Sequence, residues 1–299
     1  MQASYCFIDL SDTEAQLNQF WHAEAMQTAA TEAVSTPMST RTLLLNCVVA
    51  AVTGQAAMIL LHEAAHLVAG VALGHPSHMY AFGVTHGGNP SVADEVTMLL
   101  AAPIFSLVMG LAMQLWQPLR RRGGFLHLFW LFFAFTSVQE MVGYLVITPF
   151  GAGDTGGAAM MLGLPVPVVI IACLIGVAGM FANAWAFAPH MRRHAGNAGR
   201  NAFGLYPWLF GTIIGALSAL LYLALTPVDF PIADQIAVMA ANMAILVFAP
   251  MANIFIGKNM AEQPPAPLSL KPIPVNGLVI FGVLLLINIA LSIWGLPLG

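Results

Sequence analysis

The sequence predicts an all-α polytopic membrane protein with about seven transmembrane helices and a short strand or hairpin after the first. Three observations predict it. Of the 299 residues, 59% are hydrophobic and only 7% are charged, where a soluble domain of this size carries about a quarter charged residues. The apolar residues fall in long blocks instead of the short periodic stripes of a soluble core. The basic residues occupy alternate separators between those blocks, the pattern of a chain that crosses a bilayer repeatedly.

Taken in order, residues 1–40 are polar and acidic, with Ser11 and Glu14 at capping-box spacing before an Ala-rich stretch that stops near Pro37. That spacing predicts a short surface helix. Blocks follow at about 43–73, 96–116, 125–148, 164–188, 204–226, 233–256 and 276–296, each long enough to cross ~30 Å of hydrocarbon. The stretch 259–275 is Pro-rich and reads as an extended linker. Three parts result: the polar segment 1–40, a three-helix unit over 41–160, and four further helices over 161–299.

The nine basic residues are Arg41, Arg120, Arg121, Arg122, Arg192, Arg193, Arg200, Lys258 and Lys271. With seven crossings all of them fall on one side, which positive-inside bias makes the cytoplasm, so the N-terminus is expected there and the C-terminus outside. The expected location is a bacterial inner membrane, with the lipid bilayer as the surrounding partner. Cys6, Cys47 and Cys173 have no C-x-x-C spacing and imply no disulfide framework. The start has neither a basic n-region nor an early apolar h-region, so no cleavable secretory signal is expected. A net charge of -4 argues against nucleic acid as a partner. Gly70/Gly74 and Gly211/Gly215 have the spacing of close helix packing.

Chemistry concentrates in LLHEAAHLVAG. His62 and His66 are four apart and share one helix face, where two imidazoles can bind one tetrahedral zinc ion. Glu63 lies beside them, spaced to act as general base on a water whose pKa the metal lowers. Two histidines and a glutamate inside an apolar span cost several kcal/mol unless they find partners, and a metal is an effective partner.

A catalytic zinc normally takes three protein ligands, so an acid must come from elsewhere. Asp94, Glu95, Glu140 and Asp154 all fall near the outer end of the first block. Asp154, in TPFGAGDTGG just past the third block, is the best placed. Glu140 lies within the third block and could orient a ligand histidine, replace Asp154, or stay neutral in the core. His75, His78 and His86, in the outer loop, read as ordinary surface histidines.

Four stretches, LLHEAAHLVAGVALG, HMYAFGV, AAPIFSL and ITPFGAGD, together make residues 43–160 resemble the site-2 protease family of intramembrane zinc metalloproteases. The resemblance implies Zn2+ as cofactor, His62, His66 and Asp154 as metal ligands, Glu63 as the catalytic base, and a membrane-protein or peptide substrate. It also implies that the segment after the first helix is an edge strand gripping unfolded substrate, with Tyr80, Phe82 and Gly83 at the substrate. The pattern differs at Thr155, where the family has glycine, and at Val146, where it has an asparagine thought to help bind the substrate carbonyl. Two other readings remain: a zinc hydrolase acting on a lipid or small amide within the bilayer, and a non-catalytic metal-binding or transport protein.

Overall fold

The structure, a computed structural model, describes residues 39–119, 123–195, 199–228, 232–256 and 268–299. The surface helix expected within residues 1–40, the Arg120–Arg122 cluster, Lys258 and most of the Pro-rich linker lie outside the described residues. The chain is a polytopic helical protein. Among the described residues, six helical segments are long and apolar enough to cross a membrane: 40–72, 92–116, 125–150, 166–195, 200–225 and 275–294.

Helix α1 (Thr40–Ala72) runs for 33 residues, about 50 Å at 1.5 Å per residue. It ends at Gly74, whose left-handed φ of 83° lets the His75 N–H turn back to the Gly70 carbonyl at 3.0 Å. Strands β1 (Ser77–Tyr80) and β2 (Gly83–His86) then form a hairpin, with Tyr80 opposite Gly83 and Ser77 opposite His86. The expected strand YAFGVT is therefore a hairpin tip: Tyr80 closes β1, Ala81 and Phe82 make the two-residue turn, and Gly83 opens β2. Gly70 does not pack helix on helix as expected. A Cβ there would collide with the His86 ring and the Ser77 hydroxyl, so the missing side chain lets the hairpin lie on α1.

Helix α2 (Val92–Trp116) starts with a capping box in which Ser91 and Asp94 bond each other's backbone N–H. Helix α3 (Phe125–Ile147) continues into a 3-10 turn (Thr148–Phe150), followed by the short α4 (Gly153–Met161) and the long α5 (Val166–Ala195). After α6 (Arg200–Phe203) and α7 (Leu205–Leu225) comes the block expected to be a sixth crossing helix. It forms α8 (Ile232–Ala244), turns over 245–250, and α9 (Ala252–Phe255). Among the described residues six helices, not the expected seven, are long and apolar enough to cross.

The helix stops at Ala244, and Pro250 keeps the turns that follow from rejoining it. This proline has no N–H, its ring clashes with the carbonyl of Leu246, and it biases Ala249 away from helical backbone. The Ala249 N–H bonds the Leu246 carbonyl three residues back, at 3.0 Å, in a tighter turn. The segment still runs antiparallel to α7. Thr212 bonds the Met243 carbonyl at 3.1 Å, Leu246 lies against Gly211, and the Ala249 carbonyl lies against Gly204. Gly211 and Gly215 thus do serve close packing, as expected from their spacing. Helix α10 (Val275–Trp294) completes the bundle, and β3 (Leu296–Leu298) adds to β1 to give the sheet order β2-β1-β3.

Three helices dock on α3 through glycine. A Cβ at Gly54 of α1 would lie 2.9 Å from the Phe133 nitrogen, one at Gly110 of α2 2.8 Å from the Val138 nitrogen, and one at Gly176 of α5 2.7 Å from the Val142 carbonyl. Small residues let backbones approach where lipid supplies no hydrophobic drive between helices. Replacing Gly54 by alanine is expected to lower stability by about 1–3 kcal/mol, read as the midpoint of unfolding in a dodecyl sulfate titration. Because backbone, not a flexible side chain, blocks the space, Gly54→Leu should prevent assembly.

The described basic residues gather at one end of the bundle. Leu43, two residues after Arg41, packs on Gly199 beside Arg200, and Asn46 bonds the Lys271 carbonyl at 2.9 Å. Arg192 and Arg193 end α5, where His194 meets His127 at the start of α3, with Nε2 atoms 3.0 Å apart. The hairpin lies at the opposite end.

Candidate metal centre

The centre forms between α1, α2, α3 and α4. His62, Glu63 and His66 are all buried on α1. Asp154 reaches them because the chain folds back after α3. Gly151 and Gly153, both at φ 66°, reverse the backbone around the extended Ala152. The Thr155 hydroxyl then ties α4 to α3, donating to the Tyr144 carbonyl at 2.9 Å and lying 2.7 Å from the Thr148 hydroxyl. Gly156 has no room for a side chain, since a Cβ would lie 2.6 Å from the Gly151 carbonyl carbon. Asp154 therefore sits in the first turn of α4, where the exposed N–H groups of the helix favour a carboxylate.

Three atoms converge. Asp154 Oδ2 is 3.1 Å from His62 Nε2 and 3.2 Å from His66 Nε2, and the two Nε2 atoms are 3.2 Å apart. His66 Nδ1 is 2.8 Å from the Met98 carbonyl, which can only accept, so that nitrogen carries the proton. A neutral His66 then presents a bare lone pair at Nε2. His62 Nδ1 lies 3.2 Å from the Ser106 hydroxyl, which can donate or accept, and 3.9 Å from Glu140 Oε1.

Two ring nitrogens and a carboxylate oxygen this close can share a proton or a metal ion. In a tetrahedral ion with bonds of about 2.0 Å, donor atoms lie about 3.3 Å apart along each edge, and the three observed separations fit that edge. Each histidine has its far nitrogen held by an outer partner, the usual arrangement for metal-bound imidazole. His62, His66 and Asp154 together could hold a metal ion.

Neither Glu63 nor Glu140 belongs to the convergence. Glu63 is one residue past His62, about 100° around the helix, and near enough to His62, His66 and Asp154 to feel their charges. Glu140 stands behind His62, on its Nδ1 side. About four helical turns separate Glu140 from Asp154 along the chain, yet the fold-back brings both to the same histidine. Between them, Tyr144 stacks on the His62 ring at 5.6 Å.

Asp94 and Glu95 stay outside the centre, at the start of α2, with Asp94 3.4 Å from His75. His78 stacks on Tyr80 at 4.7 Å and bonds the Trp294 carbonyl at 3.3 Å. Ser77 gives its proton to the His75 carbonyl, so His86 Nδ1 donates to Ser77. Burial, with His66 and His75 adding to it, holds His86 below the ordinary imidazole range. Tyr80 and Phe82 are buried at the hairpin tip.

Sequence reasoning missed Ser106, the Met98 carbonyl and Tyr144. Ser106 and Tyr144 carried a usable signal, as polar side chains within apolar spans. The Met98 carbonyl carried none, because a backbone group has no mark in the sequence. No family model, curated protein or solved structure matches the chain.

Proposed function

We propose that this chain is a membrane-embedded zinc metalloprotease of the site-2 protease type, hydrolysing peptide bonds of membrane-associated substrates. The observation that carries this reading is the convergence of His62 Nε2, His66 Nε2 and Asp154 Oδ2 at 3.1–3.2 Å, with Glu63 beside it. Zinc bound there would supply a Lewis acid and make water a usable nucleophile near neutral pH. His62, His66 and Asp154 would hold it, and Met98, Ser106 and Glu140 would keep the two imidazoles oriented.

Glu63 is the base in this reading. Its carboxylate takes a proton from water and later returns it to the leaving amine. The hairpin serves the substrate. A peptide bond in a membrane helix is hidden by the helix's own hydrogen bonds, so it must be unwound and offered replacement bonds. Strand β1 already pairs on both sides, whereas β2 has one partner among the described residues. An unwound segment would add to the open edge of β2, near Gly83, beside the buried Tyr80 and Phe82.

One observation favours a second reading, hydrolysis of a lipid or small amide: Val146 stands where the family's asparagine would help bind a peptide carbonyl. Transport has less support, because the described polar groups near the centre gather at one level and do not trace a path. The deciding experiment joins metal analysis of the purified protein to a cleavage screen of wild type against Glu63→Gln. Hydrolysis that persists in the variant removes the proposed base.

The orientation also belongs to this proposal. Tags at the N-terminus and near residues 121 and 196 are expected to report the cytoplasm of a bacterial inner membrane, and tags near 88 and 156 the outside. Accessibility labelling of single cysteines at these sites checks it. An N-terminus on the outside would invert the assignment and move the centre toward the cytoplasm.

A further inference from the structure

Three histidines outside the metal centre gather at the opposite, basic end of the bundle. His127 lies in the first turn of α3, and His190 and His194 lie near the end of α5. His190 and His194 are four apart and so share one helix face, the spacing of His62 and His66 repeated on a second helix. Trp130 stands among them. Its ring meets His127 edge-on at 5.3 Å and His190 edge-on at 5.8 Å, and its indole N–H donates to the Met113 carbonyl at 2.9 Å.

Two of the three already converge, with His127 Nε2 3.0 Å from His194 Nε2. His127 Nδ1 is 3.0 Å from the Leu119 carbonyl, which can only accept, so that nitrogen carries the proton. The lone pair of a neutral His127 then sits on Nε2 and points at His194. The Met98 carbonyl orients His66 in the same way, and there the facing Nε2 atoms are 3.2 Å apart. Packing keeps the pair aimed: His127 is only 1% exposed, and the His194 ring stacks at 6.5 Å on the buried Phe203.

Two ring nitrogens this close share either a proton or a metal ion. Their separation lies between the right-angle edge, about 2.9 Å, and the tetrahedral edge, about 3.3 Å, of an ion with bonds of about 2.0–2.1 Å. A shared proton needs no further imidazole, yet His190 stands one turn away. His194 is half-buried, and the last turn of α5 ends in carbonyl groups that favour positive charge.

We propose that His127 and His194 bind a second transition-metal ion, that His190 turns in as a third donor, and that the ion clips α5 to α3. The proposal does not rest on the hydrolase reading. An imidazole donor set suits Ni2+, Cu2+ or Zn2+ and not Mg2+ or Ca2+, which take oxygen ligands. Arg192 and Arg193 precede His194 directly and oppose a cation, so this site is the weaker of the two: it loses its metal during purification and fills on titration.

The test is calorimetric titration of the full chain with Ni2+, in dodecyl maltoside and without a histidine tag. Wild type is expected to take up one equivalent that His194→Asn does not, and Asp154→Ala should keep that equivalent. The half-buried position of His194 makes this variant a mild one for the fold. Its affinity should fall by more than the roughly 10- to 100-fold typical of losing an outer partner of a ligand. His190→Asn should weaken the same equivalent, and Mg2+ should not compete for it. Because the ion joins two helices of the folded chain only, Ni2+ should also raise the dodecyl sulfate unfolding midpoint of wild type and leave that of His194→Asn unchanged.

A wild-type chain that takes up no more Ni2+ than His194→Asn overturns the site and leaves the pair sharing a proton. An equivalent that disappears with Asp154→Ala overturns it too, by assigning the metal to the other centre. Unaltered affinity in His190→Asn removes that residue from the ligands, and uptake without a rise in the midpoint overturns the clip.

Discussion

Alanine at Asp154 is expected to empty the metal centre, while glutamine at Glu140 leaves it filled. Asp154 Oδ2 is the only carboxylate oxygen that meets both Nε2 atoms, at 3.1 and 3.2 Å, among the described residues. Removing it leaves two imidazoles, one donor short of the three a catalytic zinc normally takes from protein. The fall in zinc affinity should exceed the roughly 10- to 100-fold typical of losing an outer partner of a ligand. Glu140 is such an outer partner, 3.9 Å from His62 on the nitrogen that faces away from the centre. Competition with a chelator of known affinity, run on both variants, separates the two roles. Zinc lost from Glu140→Gln but kept by Asp154→Ala would exchange them.

Glutamine at Glu63 is expected to keep the metal and abolish hydrolysis. The side chain keeps its size and hydrogen-bonding capacity but can no longer accept a proton at neutral pH, so the loss in turnover should be on the order of 10²–10⁴. Metal content and cleavage rate measured on one preparation form the check. A Glu63→Gln protein that purifies without zinc would make the glutamate a ligand, contrary to its place outside the convergence.

The histidine pair and its neighbour were legible in the sequence because four residues is one helical turn, a spacing that needs no tertiary information. Asp154 was legible as far as its level in the membrane. Its approach was not, since the fold-back depends on two glycines taking left-handed backbone and on Gly156 fitting against Gly151, contacts that hydropathy does not encode. The same limit explains the span count. Residues 233–256 are apolar enough to cross, yet the helix stops at Ala244 and passes into turns that end at Pro250, where hydropathy alone sees no change. The third strand was invisible for a different reason. Leu296–Leu298 pairs with Ser77–Met79 across more than two hundred residues of chain, a pairing set by where α10 delivers its C-terminus.

The most direct test of the metal centre is zinc-edge X-ray absorption on the purified wild-type chain, with metal stoichiometry measured on the same sample. The expected result is about one zinc per chain in four-coordinate geometry, two imidazole donors and the remainder oxygen, at about 2.0–2.2 Å. The imidazole signal should disappear with His62→Ala and His66→Ala. A chain that purifies and remains folded without metal even when zinc is supplied, or a spectrum with sulfur or only oxygen donors, would contradict the assignment of His62, His66 and Asp154.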